Sequence, residues 1–205
     1  MKKIVSILAA SMMLLGVNAM AQPSIGAGYL SSTEISKSGN NTRESNPMNG
    51  FYAGLGYTVP IASGINFTPG VYFGYAAKSN TTAFGPFSAT GKQQDMYIDV
   101  PLHFSYGIDL GAARLFFYGG PSANIGLVSK VTGSTNVTGS SSYDRYEENS
   151  NLQRFDIMLG AGVGLQFNDL VRFQVGYDWG MLNRYNSDNY TVRRNQLTAG
   201  VAFLF

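Results

Sequence analysis

Apolar side chains recur at every second position over most of the chain, and the alternation continues to the last residue. In the final segment Leu197, Ala199, Val201, Phe203 and Phe205 share one face, while polar or small residues occupy the other. Period two is the pattern of a β-strand, because successive side chains point to opposite faces of the sheet. The alternation therefore predicts a protein built from strands.

Eight segments carry this pattern, at roughly 24–31, 50–59, 65–76, 94–106, 113–127, 153–167, 171–181 and 193–205. The connections at 61–64, 107–112 and 168–170 are short, whereas those at 32–49, 77–93, 128–152 and 182–192 are long and rich in Ser, Thr, Asn and Gly. Short turns at one end and long loops at the other are typical of outer-membrane barrels. We predict an all-β fold, an eight-stranded antiparallel up-and-down transmembrane β-barrel, with both termini at the short-turn, periplasmic end.

The two faces of the sixth strand indicate which side meets lipid. Phe155, Ile157 and Leu159 begin a bulky apolar face, and Gly160 and Gly162 belong to the opposite one. An eight-stranded interior has room for few large side chains, so an inward apolar face would not fit. The apolar face is therefore expected outside, with the glycines in a crowded lumen.

Aromatic residues provide a second indication, because Tyr, Trp and Phe gather at both membrane interfaces. On the predicted outward face they form two groups. The group near the short turns includes Tyr57, Phe104, Phe167 and Phe173. The group near the long loops includes Phe73, Tyr177 and Trp179. Pro69, Pro101 and Pro121 conflict with the pattern, since each removes a ladder hydrogen bond. Bulges or shifted strand ends are expected at these three positions.

The first residues predict export. Lys2 and Lys3 precede an apolar stretch at 4–17 and a small-residue cleavage site, Ala19-Met20-Ala21. Residues 1–21 are therefore predicted as a cleaved signal peptide typical of a Gram-negative bacterium, and 22–205 as one barrel domain. Of 14 basic residues, 12 remain after Lys2 and Lys3 are removed, against 12 acidic ones. A mature net charge of zero gives no support for nucleic-acid binding.

Charged residues also fall on the predicted lumen face. They are balanced in number and comprise Asp99, Asp156, Asp178, Arg114, Arg154 and Arg172, with His103 beside them. Charges inside a narrow barrel must be paired, because an isolated buried charge is very costly. This predicts a structural polar network that plugs the lumen. A conducting lumen is the alternative.

Three segments resemble a known family. Tyr97-Ile98-Asp99-Val100-Pro101-Leu102 resembles a Tyr-x-acidic-aliphatic-Pro-Leu strand of the outer membrane protein beta-barrel domain family, the small porin family and PorT-like barrels of Gram-negative bacteria. Gly119-Gly120-Pro121 and 160–165 are similar to that family's next two strands. The resemblance implies an outer-membrane barrel that tolerates Pro101. It implies little about activity, although a PorT-like role in a secretion assembly is one possibility.

The chain end resembles the assembly signal of such barrels, with Val201 and Phe203 preceding a terminal Phe205. This implies recognition by the barrel-assembly machinery. Phe205 is also suited to a simpler role as an interfacial anchor.

An enzyme is the remaining alternative, because His103-Phe104-Ser105 resembles the His-x-Ser pair of lipid A deacylases. Here, however, His103 and Ser105 are expected in the lumen at the periplasmic end, whereas the deacylase site faces lipid near the outer leaflet. One histidine and no cysteine also leave no soft-metal cluster. We predict no catalytic residue, metal or cofactor.

The sequence thus predicts a non-enzymatic outer-membrane barrel with a structural or surface-interaction role. Its expected partners are outer-membrane lipid and lipopolysaccharide, the barrel-assembly machinery, and a surface ligand of the loops at 32–49, 77–93, 128–152 and 182–192. These loops contain the aromatic and proline residues Phe84, Pro86, Phe87, Tyr143, Tyr146, Tyr185 and Tyr190, which suit adaptable contacts. A small-solute porin-like channel and an accessory of a secretion assembly are the alternatives.

Overall fold

The computed structural model describes residues 21–84, 87–135, 139–148, 151–185 and 190–205, and nearly all of them form antiparallel β-sheet. The elements are β1 (Gln22–Ser38), β2 (Asn41–Glu44), β3 (Met48–Ala62), β4 (Ile65–Phe84), β5 (Phe87–Asp109), β6 (Ala113–Thr135), β7 (Gly139–Asp144), α1 (Arg145–Glu148), β8 (Phe155–Phe167), β9 (Val171–Gly180) and β10 (Tyr190–Leu204). Within these ranges no helix has the length and apolar character needed to cross a bilayer. The predicted signal peptide, apart from Ala21, lies outside the described residues.

Eight strands close into a ring in the order β1, β3, β4, β5, β6, β8, β9 and β10. The ring closes where β10 pairs with β1 over a long register, from Ser24↔Leu204 to Ser38↔Tyr190. In the described chain β2 pairs with β1 and β7 pairs with β6, both outside the ring. The predicted antiparallel barrel is therefore confirmed, and closure provides a partner for the strand edges that an open sheet would expose.

Three tight turns and both ends of the barrel lie together at what we call the turn end. In the β8–β9 turn, Asn168 (φ 49°) and Asp169 (φ 51°) are both left-handed, the conformation that tight hairpins require. The β3–β4 and β5–β6 turns contain Gly64 (φ 75°) and Gly111 (φ 89°), where glycine adopts positive φ without a steric cost. The short connections thus have the turn chemistry that their lengths demand.

At the opposite, loop end the strands are longer than the sequence predicted. β5 and β6 each contain 23 residues, about twice the 9–11 residues that a strand needs to cross a bilayer. Much of the predicted loops 77–93 and 128–152 is therefore β-sheet that projects beyond the barrel. These segments carry Ser, Thr and Gly on both faces, so they have no apolar alternation from which strands could be predicted.

The predicted faces are those of the structure. Along β8, Phe155, Leu159 and Val163 are 40–49% exposed, while Asp156 and Met158 are 1% exposed. The apolar side chains surround the outside of the barrel, and the polar groups and glycines face the lumen. An apolar belt around a closed barrel is the surface that lipid requires.

The expectation of bulges at Pro69, Pro101 and Pro121 is wrong. The register is unchanged on either side of each proline, although pairing is interrupted beside Pro69 and Pro101. The register shifts of the ring lie elsewhere, at Pro60/Ala62 and at Met96/Tyr97. A proline removes one hydrogen bond from a strand without requiring an extra residue in it.

A side chain supports the interrupted ladder next to Pro69. The Thr68 hydroxyl donates a hydrogen bond to the His103 carbonyl oxygen on β5 (3.1 Å). The His103 carbonyl therefore has a hydrogen-bond donor even though the nearby proline has no N–H group. A backbone carbonyl remote from water needs such a partner.

Candidate functional site

A compact layer of side chains fills the loop half of the lumen. Tyr97 is completely buried and Arg194 is 1% exposed. The guanidinium of Arg194 lies 4.2 Å from the Tyr97 ring centroid, within the range of a cation–π contact, and the Tyr97 hydroxyl donates to Gln196 Oε1 (2.6 Å). Leu30 and Met48, both fully buried, pack in the same half. We call Leu30, Met48, Tyr97, Arg194 and Gln196 the plug.

Asp99 is the carboxylate beneath the plug. It accepts hydrogen bonds from Asn124 Nδ2 and from Gln196 Nε2, the latter at 3.2 Å. Arg194 donates to the side-chain oxygen of Asn124. Asp99 and Arg194 are therefore linked through an amide that contacts both charged groups. Networks of this kind compensate for the desolvation of the buried charges and fix one arrangement of the side chains.

The turn half of the lumen contains a cavity of about 90 Å³. His103 lies in its wall, with Nε2 3.2 Å from Ser122 Oγ and the ring 5.2 Å from the ring of Tyr118. Towards the turn end, the walls of the cavity continue into those of a wider vestibule of about 310 Å³ through shared residues that include Phe116 and Arg172. The lumen is thus hollow on one side of the plug.

Arg172 stands where the cavity meets the vestibule. Its Nη2 donates to Gln166 Oε1 (2.8 Å) and Thr58 Oγ1 (3.4 Å), and its guanidinium lies 5.0 Å from the Phe116 ring centroid. The guanidinium is therefore held by neutral acceptors and an aromatic face. The side chain of Arg172 is therefore held in place in the shared wall of the cavity and the vestibule.

Glycines, most of them on other strands than the rings, leave the space that the interior rings occupy. A methyl group built on Gly74 would lie 2.6 Å from Cζ of Tyr97, and one on Gly28 would lie 2.7 Å from Cε1 of Tyr52. Other rings fit in the same way, namely Tyr72 at Gly54 and Gly70, Tyr118 at Gly162 and Gly176, and Phe116 at Gly164. The predicted role of glycine in a crowded lumen therefore has specific ring partners.

A cap covers the loop end of the lumen, above the plug. Glu34, on β1, forms two salt bridges through Oε1. One is with Nη1 of Arg145 in α1 (3.4 Å), and the other is with Nη1 of Arg184 in the β9–β10 connection (3.2 Å). Arg184 also donates to the Tyr146 hydroxyl (2.8 Å). One carboxylate thus ties together three parts of the chain.

Glu34 lies five residues beyond Tyr29, an exposed aromatic residue on the outer face of β1, and we therefore place Glu34 on the loop side of the membrane-spanning part. Burial alone would raise the pKa of the Glu34 carboxyl, but the guanidinium groups of Arg145 and Arg184 outweigh burial and hold the pKa below its usual 4.5. The cap is therefore charged and intact at neutral pH.

Backbone hydrogen bonds complete the cap. Leu152 forms a bridge with Tyr185 and is only 6% exposed. Gln153 N donates to Arg184 O, and Arg184 N donates to Val192 O, both at 2.8 Å. The connections leading to β8 and β10 therefore fold across the loop end.

The structure separates the seven charged or titratable residues predicted for the lumen. Interior positions are occupied by Asp99, His103, Asp156, Arg172 and Asp178. Arg114 instead pairs with Asp109 (2.8 Å) in an exposed contact at the turn end, and Arg154 is exposed at the loop rim with its guanidinium 4.6 Å from the Tyr146 ring. Both residues occupy the alternate positions that face the lumen, but they lie at strand ends, so solvent reaches them.

Other interior charges were missed by the sequence argument. Arg194 and Glu34 lie on strands, and Arg184 lies in a connection predicted as solvated loop. Arg194 could have been found from strand alternation, because it precedes Gln196 on β10 by two residues and residues two apart share a face. Glu34 and Arg184 carried no such signal, since their segments lack apolar alternation. The interior therefore holds five of the seven predicted residues together with Glu34, Arg184 and Arg194.

The predicted interface aromatics lie on the outside of the barrel. Phe104, Phe167, Phe173, Phe73 and Trp179 are 38–53% exposed, and Tyr57 and Tyr177 are partly exposed. Phe167 and Phe173 meet edge to face near the turn end, with ring centroids 6.2 Å apart. Tyr177 and Trp179 do the same towards the loop end at 5.0 Å. The first pair joins β8 to β9, as cross-strand packing favours, and the second lies along β9 alone.

The residues of the proposed assembly signal end β10 at the turn end. Phe203 and Phe205 are 49% and 71% exposed, on the same side as the partly exposed Val201. The Phe205 amide donates to the Pro23 carbonyl (2.9 Å), which joins the two ends of the barrel.

The aromatic residues predicted for the rim differ in their surroundings. Tyr143 and Tyr190 are exposed, whereas Tyr146 is held by Arg184 in the cap. Tyr185 packs edge to face against Tyr190 (5.4 Å). Pro86 lies outside the described residues, as do the side chains of Phe84 and Phe87.

Comparison with known proteins gives the same class. Residues 15–186 match the outer membrane protein beta-barrel domain, so the chain belongs to this family of Gram-negative outer-membrane barrels. The family implies a location in the bacterial outer membrane. No curated protein matches the chain.

Similar solved structures are also small outer-membrane proteins. The attachment invasion locus protein Ail of Yersinia pestis is 17% identical, over 90% of this chain and 99% of Ail, with a TM-score of 0.42. Neisserial surface protein A is 16% identical, over 88% of this chain and 97% of that protein, with a TM-score of 0.41. OprG of Pseudomonas aeruginosa is 9% identical, over 90% and 96% of the two chains, with a TM-score of 0.41.

Proposed function

We propose that this protein is a non-enzymatic outer-membrane barrel whose lumen is closed and whose loop end acts as a surface for interaction with other molecules. The observation that carries this proposal is the plug. Tyr97 and Arg194 are completely or almost completely buried, and their partners are protein groups on several strands. A solute would have to displace a buried arginine from its hydrogen bonds to pass.

The loop end supports an interaction role. β4, β5, β6 and β7 form a sheet that extends beyond the aromatic belt, and its Ser and Thr side chains present many hydrogen-bonding groups. Exposed Tyr143 and Tyr190 add the rigid amphipathic surfaces that recognition sites use. A rigid scaffold with polar extensions is well suited to hold such contacts. The proposed partners are surface ligands of this end, in a membrane of lipid and lipopolysaccharide.

The position of His103 supports the absence of catalysis on lipid. Its Nε2 contacts Ser122, and the side chain lies in the wall of the interior cavity. A lipid A substrate would approach from the opposite face of the strand. Overexpression should therefore leave the mass spectrum of lipid A unchanged, and loss of an acyl chain would contradict this assignment.

We further propose that the turn end and both termini face the periplasm. The chain contains no cysteine, so single labelling sites can be introduced cleanly. Ser141→Cys, at the loop end, should react in intact cells with a maleimide that does not cross membranes. Ala112→Cys, in the β5–β6 turn, should react only after permeabilisation, and the reverse result would invert the orientation.

Conductance and binding measured on one detergent-purified sample test the main proposal. The wild-type barrel should show no steady conductance above background in planar bilayers. Deletion of residues 79–92, which removes the outer part of the β4–β5 hairpin, should reduce binding to host-cell or matrix components while leaving a heat-modifiable barrel. Unchanged binding and envelope integrity after deletion of each loop-end extension would refute the interaction role.

A small-solute channel is the second candidate, because the cavity and the vestibule share part of their walls and leave space in the turn half of the lumen. Passage would then require movement of the plug. Steady ohmic conductance of the wild-type barrel would favour this candidate over the closed lumen. Truncation by Tyr97→Ala should raise conductance only if the plug is the barrier.

A further inference from the structure

The cavity in the turn half of the lumen contains a carboxylate without a hydrogen-bonding partner. Asp99 and Asp178 both line this cavity. The two oxygens of Asp99 accept from Asn124 and Gln196, as described above. Asp178 accepts no hydrogen bond from the described residues, although it lies in the barrel interior, where it is partly accessible from the cavity.

Glycine holds the space for this carboxylate. Gly160 lies directly opposite Asp178 on β8. A methyl group on Gly160 would collide with Asp178 Oδ1 and would lie 3.2 Å from His103 Nε2. The carboxylate therefore occupies a position next to the imidazole and projects into the cavity.

The two interior arginines near the cavity contact groups other than Asp178, although Nε of Arg194 has no hydrogen-bond partner among the described residues. Arg194 donates to Asn124 and lies over the Tyr97 ring, while Arg172 is hydrogen-bonded to Gln166 and Thr58. A buried carboxylate without a counter-charge is costly in a low-dielectric interior. The charge of Asp178 must therefore be compensated by a proton or by a cation from solution, because the neighbouring side chains place no cation in contact with it.

We propose that the cavity binds a monovalent alkali cation, held by Asp178 and by the hydroxyl oxygens of its wall, including those of Ser122 and Tyr118. Carboxylate and hydroxyl oxygens are the ligands that hard cations prefer. The volume of about 90 Å³ corresponds to about three water molecules, which fits an ion of this size with part of its hydration shell. The vestibule gives access from the turn end.

The groups that line the cavity indicate that the bound cation carries a single positive charge. No group of three or more His, Cys, Asp or Glu side chains able to hold a metal ion occurs in the described part of the chain. Calcium sites need six to eight oxygens and usually several carboxylates. One unpartnered carboxylate matches one monovalent ion.

Sodium is a suitable probe. The midpoint of heat unfolding of the purified barrel should be higher in NaCl than in choline chloride at the same ionic strength, because only sodium fits the cavity. Above the dissociation constant, each tenfold increase in sodium should raise the ratio of folded to unfolded protein about tenfold. General screening by salt is the same in both solutions.

Two variants separate this site from other effects. Asp178→Asn removes the charge at nearly constant volume and should abolish the difference between the two salts. Asp109→Asn removes an exposed carboxylate at the turn end and should retain it. Equal wild-type midpoints in the two salts would overturn the proposal, as would a sodium effect that persists in Asp178→Asn. If Asp178→Asn does not fold, the wild-type comparison alone decides.

Discussion

The fit between Gly74 and Tyr97 predicts a large effect from a single methyl group. In Gly74→Ala the new Cβ would lie 2.6 Å from Cζ of Tyr97, well inside van der Waals contact. The ring cannot turn aside easily, because its hydroxyl donates to Gln196 and Arg194 lies over its face. Overpacking of this kind costs about 1–3 kcal/mol of unfolding free energy.

Gly91→Ala is the matched control on the neighbouring strand β5. Nothing lies within 4 Å of a methyl group at Gly91. Replacement of glycine by alanine at an unstrained position stabilises by about 0.4–1 kcal/mol, since the unfolded chain loses freedom. The two variants make the same chemical change, so their difference isolates the collision with Tyr97.

Urea unfolding in lipid vesicles measures the difference. The single tryptophan of the chain, Trp179, is 45% exposed on the lipid face and reports the loss of the barrel by fluorescence. Gly74→Ala should unfold at lower urea than wild type, and Gly91→Ala at equal or higher urea. In the double variant Gly74→Ala/Tyr97→Leu, part of the stability lost in Gly74→Ala should be recovered, so the effects of the two substitutions should not be additive. Equal midpoints for the two alanine variants would refute the reasoning.

Three further predictions concern the ends of the barrel. Glu34→Gln should speed hydrogen exchange at 182–185 at neutral pH. In wild type, the protection of these amides relative to the intrinsic exchange rate at each pH should fall only below the usual carboxyl range, because the lowered pKa of Glu34 keeps its charge until then; unchanged protection in acid would contradict this. Arg114→Ala should cost less than about 1 kcal/mol of unfolding free energy, since its ion pair is exposed. Deletion of Phe203–Phe205 should leave the precursor in the periplasm on fractionation, and normal insertion would exclude the assembly signal.

The membrane part of the fold could be predicted because lipid and lumen impose opposite demands on alternate residues. β8 shows this most clearly, with apolar side chains outside and Asp156, Gly160 and Gln166 inside. Beyond the lipid belt both faces meet water, so the outer parts of β4, β5 and β6 carry no alternation. Their pairing depends on hydrogen bonds between backbones, which a single sequence does not display.

The candidate site was predicted less completely than the fold. Parity assigns a residue to the lumen face but does not give its height along the barrel axis. Arg114 and Arg154 therefore appeared equivalent to Arg172, although only Arg172 lies inside. Arg184 enters the interior from a connection, and its contact with Glu34 joins residues 150 positions apart. Such a contact depends on how the connection folds, which strand periodicity does not describe.

The glycine spaces also restrict how this interior can evolve. Apart from Tyr72 and Gly70, which both lie on β4, each of these rings and its space belong to different strands, as for Tyr97 on β5 and Gly74 on β4. A larger residue at the glycine is tolerated only after the ring has become smaller, and a smaller ring leaves a void until the glycine gains a side chain. Substitutions at these rings and glycines must therefore be inherited as pairs, most of them drawn from different strands, whereas the lipid face can exchange one apolar residue for another independently.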